Sequence, residues 1–145
     1  MVKIIEQHVH LEFPLGHHLH CLIAQIPNRL KRRGHLFALS DPEEQWRKVQ
    51  GILELVVAGE GNMKRLHFLM FPECSIPLER FQEMLATVEK GFPPNTVTMF
   101  GLEQIPLEEY RRMLIRYHAD NAEALACLEH DIDWVDFIGI ALFWL

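Results

Sequence analysis

One carboxylate stands out by its position. Residues 66–77 read LHFLMFPECSIP, an apolar run from Leu66 to Phe71 that stops at Pro72 and presents Glu73 and Cys74 at its tip. The run has the length and composition of a buried strand. In open α/β sheets, functional groups gather at the carboxyl ends of such strands. A Glu fixed there by a preceding proline can work as a general base. It can equally serve as a cap, accepting backbone N–H groups where the next helix begins. Cys74 adjoins it, but neighbours at a strand end tend to point in opposite directions, so the two do not read as a base and its nucleophile.

Three further groups could do chemistry. Glu103 follows Phe100-Gly101-Leu102 and is a second strand-end acid. It reads more readily as a surface loop residue than as part of the same pocket. His8, His10, His17, His18 and His20 crowd the N-terminal region. His8 with His10, and His18 with His20, would share strand faces, as metal ligands on a strand must. Only Cys21 adjoins them as another ligand type, so they read as exposed polar positions, and no metal or cofactor is expected. Arg29-Leu30-Lys31-Arg32-Arg33, with His35, could contact phosphates. Phe37 is the only aromatic residue interleaved with them, which leaves stacking on single strands unsupported and favours a solvated loop.

The elements that position these residues can be traced along the chain. Residues 2–13 alternate loosely and suggest a strand or hairpin arm, broken by Pro14 and Gly16. His20 to Ile26 is a compact apolar run stopped by Pro27, a buried strand. Residues 28–40 read as a polar, basic loop. Ser40-Asp41-Pro42-Glu43-Glu44 opens a helix, with a capping residue, a first-turn proline and acids at the positive end of the dipole. Trp46, Val49, Leu53, Val56 and Val57 give that helix one apolar face, and Gly59, Gly61 and Asn62 end it. Ser75 is placed to cap a second helix with the stripe Leu78, Phe81, Leu85 and Val88, ended by Gly91 and Pro93-Pro94. Thr96 to Phe100 is a further strand, closed by Gly101. Pro106 opens a third helix with Leu107, Tyr110, Leu114 and Tyr117 on one side, and Asp120 to Glu123 forms a capping box that restarts it through Leu128. Trp134 to Leu145 is strand-like and apolar on both faces. Strands alternating with helices predict an α/β domain, a mixed sheet with helices packed on it.

Bulk properties narrow the class. The 145 residues suffice for a single domain. Hydrophobic residues at 49% against 23% charged give the balance of a folded chain. The formal net charge of −6 offers no global argument for nucleic acid, which is disfavoured as a partner. Cys21, Cys74 and Cys127 form no CxxC pair, which suits a reducing compartment. The N-terminus lacks the apolar core of a signal peptide, and no stretch approaches the roughly 20 apolar residues of a membrane span. The expectation is a cytoplasmic protein with no membrane partner.

The strand series resembles the nitrilase (carbon–nitrogen hydrolase) superfamily. Cys21-Leu22-Ile23-Ala24-Gln25-Ile26-Pro27 is similar to that family's first strand, which typically ends in Gln. The helix at 42–58 and then LHFLMFPECSIP are similar to its next helix and its strand ending in Phe-Pro-Glu. Thr96 to Gly101 resembles the following strand, and Trp134-Val135-Asp136-Phe137-Ile138-Gly139-Ile140 the one that leads towards the catalytic Lys. The likeness runs from about residue 20 to the end and implies one half of an αββα sandwich. The family works with a Glu base, a Cys nucleophile that forms a thioester with an amide or nitrile, and a Lys that stabilises the oxyanion. Only the Glu carries over, to Glu73. The last lysine of the chain is Lys90, and no Cys follows the final strand in an elbow.

The resemblance therefore implies a single nitrilase-like domain over residues 1–145, truncated at its C-terminus and inactive as given. An amide or nitrile would be the small-molecule substrate of the complete enzyme. The rival expectation is a non-catalytic α/β module in a larger assembly, joined to a second copy or a partner chain through its exposed sheet or helices. The apolar ending Ile140 to Leu145 calls for such cover.

Overall fold

Two helices lie against one face of a four-stranded sheet, and the carboxyl ends of its parallel strands carry Glu73. The structure is a computed structural model and describes residues 18–117, 134–135 and 138–142. In chain order the elements are β1 (Cys21–Ile23), β2 (Leu30–Arg33), β3 (Leu36–Leu39), α1 (Pro42–Ala58), β4 (Phe68–Met70), α2 (Phe81–Gly91), β5 (Val97–Gly101), β6 (Ile105–Pro106), α3 (Leu107–Tyr117), β7 (Trp134–Val135) and β8 (Ile138–Leu142). Short 3-10 turns occupy Gly61–Arg65 and Leu78–Arg80. The main sheet runs β1-β4-β5-β8. β1, β4 and β5 are parallel and β8 is antiparallel to β5, so the sheet is mixed and the fold is α/β. Two antiparallel pairs, β2 with β3 and β6 with β7, complete the strands described.

The local signals for α1 act as the sequence suggests. Asp41 caps it, its carboxylate accepting the Glu44 N–H at 2.8 Å, and Pro42 fits the first turn. Lys48 lies 2.6 Å from Glu44 one turn on, and its hydrogen bond holds that carboxyl below the usual carboxylate range. Gly59 ends the helix with a left-handed φ of 60°. Trp46, Val49, Leu53 and Val56 are buried, but Val57, expected in the same stripe, is 45% exposed. It turns about 100° away from Val56 and leans on α2 instead, where a Cβ added at Gly91 would come 2.7 Å from its Cγ2.

The strand register sorts residues by face. Leu22, Leu69 and Thr98 align across β1, β4 and β5. Leu69 joins Ala24, Phe71 and Phe100 in one core with the stripe of α1 and with Phe81, Met84 and Val88 of α2. Met84, not foreseen in the α2 stripe, is fully buried, while Leu85 is only partly so. The opposite face carries the row Ile23, Met70 and Met99. There Ile23 is 64% exposed, and Cys21, expected to open a buried strand, is exposed too.

Three expectations need correction. Residues 28–40 are not a loop: most of them form the β2–β3 hairpin, which turns at Gly34 with φ 65°. Ser75 does not cap α2; helical structure begins at Leu78 and then Phe81, with no side-chain cap at either start. Trp134 to Leu145 is not one strand, since β7 leaves to pair with β6 while β8 alone joins the main sheet. The arm at 2–13 and the helix restart at 120–128 lie outside the described residues. Among those described, no helix is long and apolar enough to cross a membrane.

Thr98 is fully buried, and its hydroxyl finds no hydrogen-bond partner among the described residues. Valine has the same shape without the unsatisfied group, whose burial costs about 1–3 kcal/mol. T98V is expected to raise the unfolding free energy by about 1 kcal/mol in urea denaturation with an unchanged m-value.

Candidate functional site

Glu73 sits in a tight turn after β4, held from both flanking strands. On one side, Asn28 at the end of the β1 segment donates from Nδ2 to the Glu73 carbonyl. The Asn28 Oδ1 in turn accepts from Gln45 Nε2 at 2.8 Å, and Gln45 is a buried residue of α1. On the other side, the Gly101 carbonyl at the end of β5 accepts the Ser75 and Ile76 N–H groups at 3.0 and 3.1 Å. Ile76 and Leu102 continue as a parallel bridge. All three parallel strands thus end at this turn.

The turn packs directly on Gly101. A Cβ there would lie 2.7 Å from the Glu73 Cα and 3.0 Å from the Cys74 N, contacts that backbone atoms cannot relieve by rotating a side chain. Cys74 adopts a left-handed φ of 51°, a conformation that costs a non-glycine residue about 1–2 kcal/mol. Such strain concentrates at functional positions.

The two strand-end acids have opposite environments. Glu73 is exposed, and its carboxylate accepts no hydrogen bond among the described residues. The capping alternative for this residue is therefore not its role here. Glu103 takes that role. Its Oε1 accepts the Leu78 N–H at 3.1 Å, where helical structure begins, and its Oε2 accepts the Leu39 N–H of β3 at 3.1 Å. It is partly buried rather than a free surface residue, and it joins the hairpin to the body. Gln104 adds a second tie, with Oε1 accepting the Phe37 N–H at 2.7 Å.

Beside Glu73, an open depression of about 510 Å³ runs along β1 and β4 from Ile23 to Pro72, lined mainly by apolar side chains with Gln25 among them. Neither described cysteine is placed as a nucleophile for Glu73. Cys21 lies at the start of β1, far from the strand ends that meet at the turn, and Cys74 is fixed by its left-handed backbone; Cys127 lies outside the described residues. Of the histidines considered as ligands, only His18 and His20 are described. The His20 ring stacks on His67 at 5.7 Å, and His67 Nδ1 accepts the His20 backbone N–H, so that nitrogen is occupied. Among the described residues no three His, Cys, Asp or Glu side chains come together as a metal site.

Asn28, Gln45 and Gly101 are the positioning residues that sequence reading passed over. Gln45 carried a usable signal, since it precedes Trp46 on the buried side of an otherwise apolar stripe. Comparison with family models, with curated proteins and with solved structures finds no match for this chain.

The contrast between the two acids can be measured. E103A removes two backbone hydrogen bonds to a charged acceptor and is expected to cost about 2–4 kcal/mol in chemical denaturation. E73A removes none and is expected to stay within about 0.5 kcal/mol of wild type.

Proposed function

We propose that this chain is the Glu-bearing part of a nitrilase-like carbon–nitrogen hydrolase, acting on a non-peptide amide or nitrile with Glu73 as general base. The observation that carries the reading is the contrast at the strand ends. Glu73 has a carbonyl held by Asn28, a strained neighbour in Cys74 and an unengaged carboxylate, whereas Glu103 is spent on structure. A stability role explains the second acid and leaves the first without one. The order of strand, helix, Phe-Pro-Glu strand, helix and strand is that of the resemblance, and β1, β4 and β5 are adjacent and parallel in that order.

In this reading Glu73 accepts the thiol proton as a cysteine sulfur attacks the amide carbon. The amine leaves with a proton, and water then releases the acid from the thioester. The Lys and Cys are not among the residues that match the family pattern here, so the chain by itself is expected to be inactive.

The test is ammonia release from short amides and nitriles, by this chain and by the complete product of its gene. No turnover is expected from the chain alone. The complete product should hydrolyse at least one such substrate, and E73Q should lower kcat by about 10²–10⁴-fold, the usual share of a general base. Activity indifferent to E73Q, or none in the complete product, would sink the reading.

A second reading, a non-catalytic module within a larger assembly, is favoured by one observation. The sheet face opposite the helices exposes Ile23 and Cys21 beside the apolar depression. Exposed apolar surface of this kind binds partners. If it does so here, the isolated chain should bind an apolar dye or self-associate, and I23E should abolish either behaviour. A monomer that binds no dye removes this support.

A further inference from the structure

The basic segment after β1 has no role in the proposed chemistry, and its structure differs from the loop the sequence suggested. Arg29, Lys31, Arg32 and Arg33 enter a two-stranded antiparallel ribbon in which every residue of β2 is exposed. No Asp or Glu occurs from Asn28 to Ser40. None of the four cations has a carboxylate within ion-pair distance among the described residues. Lys31 Nζ donates to the Ser40 carbonyl at 3.2 Å and Arg32 Nε to the Gly34 carbonyl at 3.0 Å, bonds that neutralise no charge. Lys48, Arg80, Arg111 and Arg112, by contrast, each hold a glutamate at 2.5–3.1 Å. The hairpin gathers four cations without such a partner at one short ribbon.

The register adds an aromatic ring. Arg32 lies directly opposite Phe37 across the hairpin, so the guanidinium and ring share one face, and Phe37 is 48% exposed. Lys31 and Arg33 share the other face. The ribbon is also mounted rigidly, by the Phe37 N–H on Gln104 and the Leu39 N–H on Glu103. Arg33 reaches the rim of an open cleft of about 720 Å³ shared with Arg112 and Arg116 of α3. Glu79, Glu103 and Glu109 line the same cleft; Glu109 pairs with Arg112, and none of the three lies within ion-pair distance of Arg33.

We propose that the β2–β3 hairpin binds single-stranded nucleic acid that crosses its exposed β2 edge, with Phe37 stacked on a base and Arg32 on the adjoining phosphate on one face, and Arg29, Lys31 and Arg33 on phosphates of the same strand on the other face. Unpaired cations supply the electrostatic part of such binding, and an exposed ring beside a guanidinium supplies the sequence-tolerant stacking part. A duplex offers no free base face to Phe37, and an acidic peptide does not present a ring beside every charge, whereas a single strand carries a base on each phosphate-linked unit and uses both features. The acidic remainder of the chain confines contact to the ribbon and keeps affinity modest.

The test is fluorescence anisotropy of a labelled 12-nucleotide oligo-dT with the purified chain, titrated at several salt concentrations. Four phosphate contacts give a log K against log salt slope of about −2.8, or roughly fiftyfold weaker binding at 200 mM than at 50 mM salt. R32A/R33A should halve that slope, while R32K/R33K should keep it. F37A should weaken binding at least about fivefold and leave the slope unchanged. R47A, on the exposed side of α1, serves as a control and should change nothing. Absence of binding at 50 mM salt overturns the proposal, as does a slope that does not follow the charge at positions 32 and 33. If poly-glutamate competes as well as oligo-dT and F37A binds normally, the hairpin is instead a docking surface for acidic proteins, and the proposal fails.

Discussion

The close approach of the Glu73-Cys74 backbone to Gly101 governs the site. Without a side chain at Gly101, the turn after β4 can lie flat on the end of β5, and the Gly101 carbonyl can accept two successive N–H groups. Each backbone hydrogen bond contributes about 0.5–1.5 kcal/mol, enough together to offset the left-handed conformation forced on Cys74. That turn lifts Glu73 out of the core and lets the Asn28–Gln45 relay secure its carbonyl from the β1 side. The fold uses the Glu73 carbonyl and packs Gly101 against its Cα, and leaves its carboxylate unengaged among the described residues.

Helix α1 was legible because its signals are local. A cap, a proline, a periodic stripe and a terminal glycine lie within twenty residues, so the helix is marked by residues of its own segment. The site was legible only in part. Glu73 could be found from the strand that delivers it. Glu103 reads from sequence as a surface loop residue and its structural task stays hidden, because the task of a carboxylate depends on which amides reach it. The Leu39 and Leu78 N–H groups arrive from 64 and 25 residues away. Both acids follow strands in sequence, and only the tertiary structure divides them into one that is engaged and one that is open.

The hairpin at 30–39 escaped notice for a related reason. A strand announces itself when one face is buried and apolar residues alternate. Here every residue of β2 is exposed and three of its four are cations, so the strand carries no burial signal. What holds the ribbon in place is again distant, the side chains of Glu103 and Gln104. A local clue did exist. Gly34-His35 is a two-residue connection with a left-handed glycine in first position, an arrangement that tight hairpins favour.

The one-sided packing of the sheet limits how any chemistry at Glu73 can be completed. The helix side is filled by Trp46, Leu53, Leu69 and Met84, which leave no room for a further reacting group beneath the turn. On the other side of the sheet, Ile23 is exposed and Met70 half-buried among the described residues, beside an open depression that reaches Pro72. An exposed carboxylate in water is a weak base, and the preorganised electrostatics of catalysis require a site from which water has been excluded. On the proposed reading, a lysine and a thiol that join Glu73 would have to approach over that face or the carboxyl edge, and whatever brings them would also cover the apolar row beside it. Catalysis and burial of that face would then be one event, since the cover that dries the site would also complete it.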